Sequence, residues 1–97
     1  MASILFHPEA EGELHDAVVW YEHQSKGLGS EFLLCIDEAV ERIQRNPESF
    51  PVVHRGFRRA VVKRFPFAVF FEVHKSEIRV QAVFHSRRDP SRWQSRG

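Results

Sequence analysis

The hydrophobic period of this chain changes once, at Asn46-Pro47, from about 3.6 residues to 2, and few folds accommodate that order. Before the break, Ala10, Leu14, Ala17, Val18 and Tyr21 form one helical stripe. Glu9, Glu11, Glu13 and Asp16 load its first turns, where the helix macrodipole favours negative charge, so a helix is expected to run to about Gln24. Ser25-Lys26-Gly27-Leu28-Gly29 reads as a glycine-containing turn. A second stripe follows at Leu28, Phe32, Ile36, Ala39, Val40 and Ile43 and stops at Asn46-Pro47. Helices joined so briefly must lie antiparallel. Ahead of them, Ser3-Ile4-Leu5-Phe6 is a short apolar run ended by His7-Pro8, a strand leading into a helix whose first turn suits proline.

After the break, three strands are expected. Arg59 to Phe65 is β-rich, Pro66 interrupts, Phe67 to Val73 is almost continuously apolar, and Ile78 to Phe84 alternates strictly. His74-Lys75-Ser76-Glu77 reads as the hairpin turn between the last two. The expected architecture is α+β: an N-terminal strand, an antiparallel helical hairpin, then a three-stranded antiparallel meander in one twisted sheet. With 97 residues, 42% of them hydrophobic and nine of them Phe, the chain reads as one domain over 1–97 with a single core. Only Asp89 to Gly97 reads as irregular.

The formal charge of +1 conceals a strong division. Residues 1–48 carry ten acids against three bases, a net of −7, and residues 49–97 carry eleven bases against three acids, a net of +8. Such asymmetry points to a basic working surface on the second half. A single cysteine, Cys35, in an apolar helical pattern gives no internal disulfide and reads as intracellular. No stretch approaches the roughly 20 apolar residues of a membrane span, and Met1 to Phe6 is too short and uncharged for a signal peptide, so neither secretion nor membrane contact is expected. His15 and His23 stand eight apart without a second ligand set, so no metal is expected, and nothing calls for another cofactor.

Candidate functional residues come from the strand faces. Strict alternation places Ile78, Val80, Ala82 and Phe84 on one face of the last strand, and Arg79, Gln81, Val83, His85 and Arg87 on the other. In the Arg59 to Phe65 strand it groups Arg59, Val61 and Lys63 opposite Arg58, Ala60, Val62 and Arg64. If Arg59 and Lys63 project on the Arg79/His85 side, they form a patch that can accept phosphate or an acidic protein surface; otherwise they are solvated surface charges. The tail His85-Ser86-Arg87-Arg88-Asp89-Pro90-Ser91-Arg92-Trp93 is the most specific local feature. Two arginines beside a histidine can stabilise phosphoryl transfer with His85 as acid or base. Equally, an arginine can pair with a hairpin acid while Trp93 pins the C-terminus to the core. Trp20-Tyr21 reads as packing, with Trp20 beside the stripe and able to face a partner.

The order of elements and several residues together resemble the RelE/ParE superfamily of bacterial type II toxin–antitoxin toxins. The resemblance is carried by Phe6-His7-Pro8-Glu9-Ala10, by Glu13-Leu14 through Ala17 to Glu22, by Gly27-Leu28-Gly29 with Phe32, and by Ile43 to Asn46-Pro47 with Phe50-Pro51. It continues in Arg58-Arg59, Arg64-Phe65-Pro66-Phe67, Ala82-Val83, His85 to Pro90 and Trp93. RelE-like members cut ribosome-bound messenger RNA with Lys and Arg on the sheet plus a C-terminal Arg and aromatic. ParE-like members keep the fold, lack most of that set and poison DNA gyrase. Arg87 falls where the nuclease pattern has its C-terminal Arg, and Arg59 fills a basic position on the sheet. Two positions depart: Ala68 stands where an Arg follows the aromatic that opens a strand, and Trp93 stands where Tyr is common. Indole N–H cannot serve as a tyrosine hydroxyl does.

The resemblance therefore implies a cytoplasmic, ParE-like toxin acting on DNA gyrase, with Arg58, Arg59, Arg87, Arg88 and Trp93 contacting the target. A cognate antitoxin would neutralise it, a helical or extended segment filling the apolar groove between hairpin and sheet, and operator DNA would be met only through that antitoxin. The alternatives are a messenger RNA endoribonuclease meeting the ribosome through Arg59, Lys63, Arg79, His85 and Arg87, and a member that binds antitoxin without toxicity.

Overall fold

The computed structural model describes Ala2 to Arg96. Strand β1 (Ser3–Phe6) leads into helix α1 (Pro8–Gln24) and helix α2 (Leu28–Arg45), and a 3-10 turn at Pro47–Ser49 follows. Strands β2 (Val52–His54), β3 (Phe57–Val61), β4 (Phe67–His74) and β5 (Glu77–His85) come next, and a short helix α3 (Ser91–Gln94) closes the chain. The sheet order is β1-β5-β4-β3-β2. β1 lies parallel to β5 and every other pair is antiparallel. β1 and β2 thus occupy opposite edges, and the helical hairpin carries the chain between them across one face.

Local chemistry sets the helix ends as the sequence requires. The His7 side chain accepts the Glu9 N–H at 3.1 Å, and Pro8 fills the first helical position. At the α1–α2 corner Gly27 has φ of 88°, a left-handed conformation glycine adopts without steric cost. The Glu22 carboxylate accepts the N–H groups of Gly27 (2.8 Å) and Gly29 (3.0 Å), satisfying donors that open α2. The helices touch closely here: a Cβ on Gly29 would stand 2.5 Å from the Val18 carbonyl oxygen. Both expected stripes face the sheet, with Ala10, Ala17, Phe32, Ile36, Ala39 and Ile43 buried against Ala60, Val69, Phe71, Ile78 and Val80. Tyr21, Phe32 and Phe65 stack around one another with centroids 4.9 to 5.1 Å apart.

Besides the short helix α3, which forms within the stretch expected to be irregular, two features depart from the sequence-based expectation. The meander has a fourth strand, β2, joined to β3 through Arg55 and Gly56, both at positive φ, the signature of a tight hairpin turn. β3 spans Phe57–Val61 rather than Arg59 to Phe65, and Arg64 turns the chain at φ of 70°. The His74–Glu77 turn stands as expected, with Lys75 at positive φ.

The second departure governs the site. Phe71 pairs with Val80 but Phe70 pairs with Ala82, so Gln81 is an extra residue, a β-bulge. Ile78 and Val80 face the hairpin; past the bulge the faces exchange, so Val83 joins that core while Ala82 and Phe84 turn to the opposite face. Strict alternation had put Ile78, Val80, Ala82 and Phe84 together, and the bulge divides them. A second core results: Phe57, Ala68, Phe70, Ala82 and Phe84 close over Trp93.

Candidate functional site

Beyond β5 the chain folds back over the sheet. Ser86 N–H donates to the Pro66 carbonyl (2.8 Å) and Arg88 N–H to the His85 carbonyl (3.1 Å). The Asp89 carboxylate accepts the Ser91 N–H at 3.0 Å, a contact that holds its pKa below the ordinary value and starts α3. That turn lays Trp93 on the second core, 2% exposed, stacked on Phe70 at 4.0 Å with a 23° interplanar angle. A cleft of about 250 Å³ opens between tail and sheet, with Arg59, His85, Ser86, Arg88 and Trp93 in its walls and no carboxylate among its lining residues.

The structure sorts the sequence candidates into distinct environments. Arg59 is exposed on the second-core face, while Arg87 and Arg88 are exposed on the tail; none of the three pairs with a carboxylate among the described residues. His85 faces the hairpin side, 5.3 Å from the Phe67 ring, and its Nδ1 accepts the Arg87 N–H at 3.0 Å. Arg58 donates to the carbonyls of Phe50 (2.6 Å) and Glu48 (3.2 Å), which fastens the loop before β2. Lys63 lies past the end of β3, its Nζ 3.6 Å from the Glu38 carboxylate of α2, rather than beside Arg59 on one strand face. Arg79 pairs with Glu77 at 2.6 Å. The cleft therefore gathers Arg59, His85 and Arg88, and leaves Lys63 and Arg79 in ion pairs elsewhere. Trp93 enters as the buried support of the tail.

A larger groove, about 590 Å³, lies across the end of β5 from this cleft. α1 supplies Glu13, Asp16, Ala17, Trp20 and Tyr21 to one wall, and Pro66, Phe67, Val83, His85 and Arg88 form the other. Trp20 is 58% exposed, its ring edge-on to Tyr21 with centroids 5.0 Å apart. Burial raises the Tyr21 phenol pKa above its ordinary value. β1 covers β5 only as far as Val80, and two side chains take up the next edge groups. Glu13 Oε1 accepts the Val83 N–H at 3.0 Å, and Arg96 Nη1 donates to the Gln81 carbonyl at 3.0 Å. The same two side chains meet at 2.8 Å. Sequence reasoning missed the role of both, because no local pattern links α1 to the last turn. Among the described residues no three His, Cys, Asp or Glu side chains cluster as metal ligands, and no helix is long and apolar enough to cross a membrane.

Comparison with known proteins places this geometry in a family. A solved structure described as the chromosomal ParDE TA system from P. aeruginosa superposes with a TM-score of 0.72 at 23% identity, covering 88% of this chain and 96% of that one. At that identity the likeness speaks for the fold. No curated protein sequence matches. The sequence model described as "ParE toxin of type II toxin-antitoxin system, parDE" matches residues 4–90, from β1 into the basic tail. The chain, with its strand, helical hairpin and antiparallel meander, belongs to the ParE toxin family of type II toxin–antitoxin systems.

Proposed function

We propose that this chain is a growth-inhibiting cytoplasmic toxin that acts on DNA gyrase by protein contact and is neutralised by a cognate antitoxin. Arg59, Arg87 and Arg88 form the target-binding face, with Arg58 and Trp93 holding the loop and tail that present it. One observation carries the reading: Arg59 and Arg88 line the tail cleft without a carboxylate partner among the described residues, whereas Lys63 and Arg79, which a nuclease would need as well, are engaged by Glu38 and Glu77. Engaged cations stabilise a phosphoryl-transfer transition state poorly, since their charge is already compensated. Unpaired arginines in the cleft wall and on the tail suit an acidic protein surface, where electrostatic complementarity speeds and orients association. Operator DNA would be met through the antitoxin.

The test is induction without antitoxin, read in parallel for gyrase supercoiling and transcript cleavage. Supercoiling is expected to fall as purified toxin is added, with transcripts intact. Cleavage of ribosome-bound messenger, abolished by His85→Ala and Arg87→Ala, would replace this reading with the nuclease one. Normal growth would indicate a member that binds antitoxin only.

A further inference from the structure

We propose that β1 pairs with β1 of a second copy of this chain, antiparallel about a two-fold axis at Leu5, joining both five-stranded sheets into one. β1 lies at the sheet edge, with β5 on one side only. Successive residues of a strand turn their backbone groups to opposite sides. Ser3 N–H donates to the Ser76 carbonyl and His7 N–H to the Val80 carbonyl, so Ser3, Leu5 and His7 address β5. Ala2, Ile4 and Phe6 therefore address the open side, and the Ala2 carbonyl is taken there by the Gln44 side chain at 3.1 Å. The outward groups of Ile4 and Phe6 meet no partner among the described residues.

These fixed points choose the register. Ala2 is engaged and Pro8 has no N–H, which leaves the groups of Ile4 and Phe6. A two-fold axis at Leu5 uses all of them. Ile4 and the partner's Phe6 exchange both N–H···O bonds, and Phe6 and the partner's Ile4 do the same. Leu5 then meets the partner's Leu5 in the non-hydrogen-bonded position, where facing side chains stand closest. Ile4 and Phe6 pack into the hairpin core, whereas Leu5 points to the other face and is 54% exposed, so the pairing buries it.

The character of the edge selects the occupant. Edge strands are ordinarily guarded by charge, proline or a bulge. β2, at the other edge, has an irregular register at Val53 and stands beside Arg55, Arg58 and Arg59. β1 runs Ser3-Ile4-Leu5-Phe6, with no charge, proline or bulge within it. A strand of the same sequence is self-complementary here, meeting leucine with leucine and each free donor with a free acceptor, as a closed two-fold contact requires. The tail cleft and the larger groove draw no lining residue from β1, so the pair leaves both open. Contact along one short strand falls in the class below about 1,200 Å², so the dimer forms and parts with concentration.

The test is sedimentation of the full purified chain across a concentration series, with residue-resolved hydrogen exchange on the same samples. The chain is expected to pass from monomer to dimer as concentration rises, with the Ile4 and Phe6 amides gaining protection together. Leu5→Glu sets like charges against each other on the axis and should weaken association by at least about tenfold, while Leu5→Ile keeps it. Leu5→Cys should oxidise to a cross-linked dimer, because a facing pair brings the two Cβ atoms within disulfide reach. Val61→Cys, on β3 at 59% exposure, should not, and Cys35 is present in both variants. A chain that stays monomeric throughout, or a dimer that folded Leu5→Glu leaves intact, would overturn the proposal. If Leu5→Glu does not fold, the two cysteine variants decide, and equal cross-linking of both would count against β1. None of these outcomes bears on the gyrase reading, which the supercoiling assay tests separately.

Discussion

Arg96 and Glu13, 83 residues apart in sequence, lie 2.8 Å apart and together take up the first edge groups of β5 beyond the reach of β1, the Gln81 carbonyl and the Val83 N–H. Arg96 has 9% and Glu13 19% of its side chain exposed, so this pair is far less screened than a surface ion pair. Arg96→Ala should cost about 2 kcal/mol, because the Gln81 carbonyl and the Glu13 carboxylate both lose a charged donor. Urea unfolding gives the value, and a loss below about 0.5 kcal/mol would deny the pair a structural role.

Trp93 and Trp20 should report opposite environments, with 2% and 58% exposure. Iodide is expected to quench Trp20 and spare Trp93, so Trp20→Phe leaves blue-shifted emission that iodide barely reduces. Trp93→Ala should cost about 3–5 kcal/mol, the range for removing a large buried aromatic, and should release the tail. Calorimetry on both variants checks the ranking.

Gly29→Ala should destabilise by about 1–3 kcal/mol, since the added carbon meets backbone, the Val18 carbonyl at 2.5 Å, and the helices must part to admit it. Gly12→Ala, in the same hairpin, meets nothing within 4 Å and should be neutral or stabilising. Thermal melts should show a lowered midpoint for Gly29→Ala and no lowering for Gly12→Ala.

Hydrogen bonding from Arg42, with further help from Lys63, holds the Glu38 carboxyl below its ordinary value of 4.5. A carboxyl whose pKa is lower in the folded chain adds stability that is complete above the unfolded value and lost as pH falls through the folded one. Glu38→Gln should therefore flatten the decline in stability below pH 4.5 and leave the dependence near neutrality unchanged. Glu38 is 39% exposed, so solvent keeps the effect small. A pH series of denaturant midpoints reads it directly.

Charge reversal separates working cations from structural ones. Arg59→Glu and Arg88→Glu are expected to relieve growth inhibition by an order of magnitude in inducer concentration, while Lys63→Glu and Arg79→Glu leave it largely intact. Equal loss with all four would favour a catalytic set spread over the sheet.

Much of this architecture was legible in the sequence because its signals are local. His7-Pro8, Gly27 and Asn46-Pro47 punctuate the helices, and the stripes through Phe32 and Tyr21 identify the buried faces. β2 escaped because three residues, Val52–His54, carry too little periodicity, and Arg55-Gly56 marks a turn only once the partner strand is known. The site was half legible. Arg59, Arg88 and Trp93 were named, but their relation depends on Gln81, and a bulge is defined by the strand opposite. Glu13 and Arg96 meet only after the whole sheet has formed, so no spacing announces them.

Gln81 also limits how this chain can vary. Because it reverses the facing of every later residue in β5, losing that one position would send Phe84 toward the hairpin and Val83 toward the second core. Single-residue insertions and deletions upstream of the basic tail would therefore exchange its two surfaces instead of merely shifting them. Length changes in descendants of this sequence should collect at Lys75-Ser76 or beyond Trp93, where the count of residues has no odd-or-even consequence for the sheet.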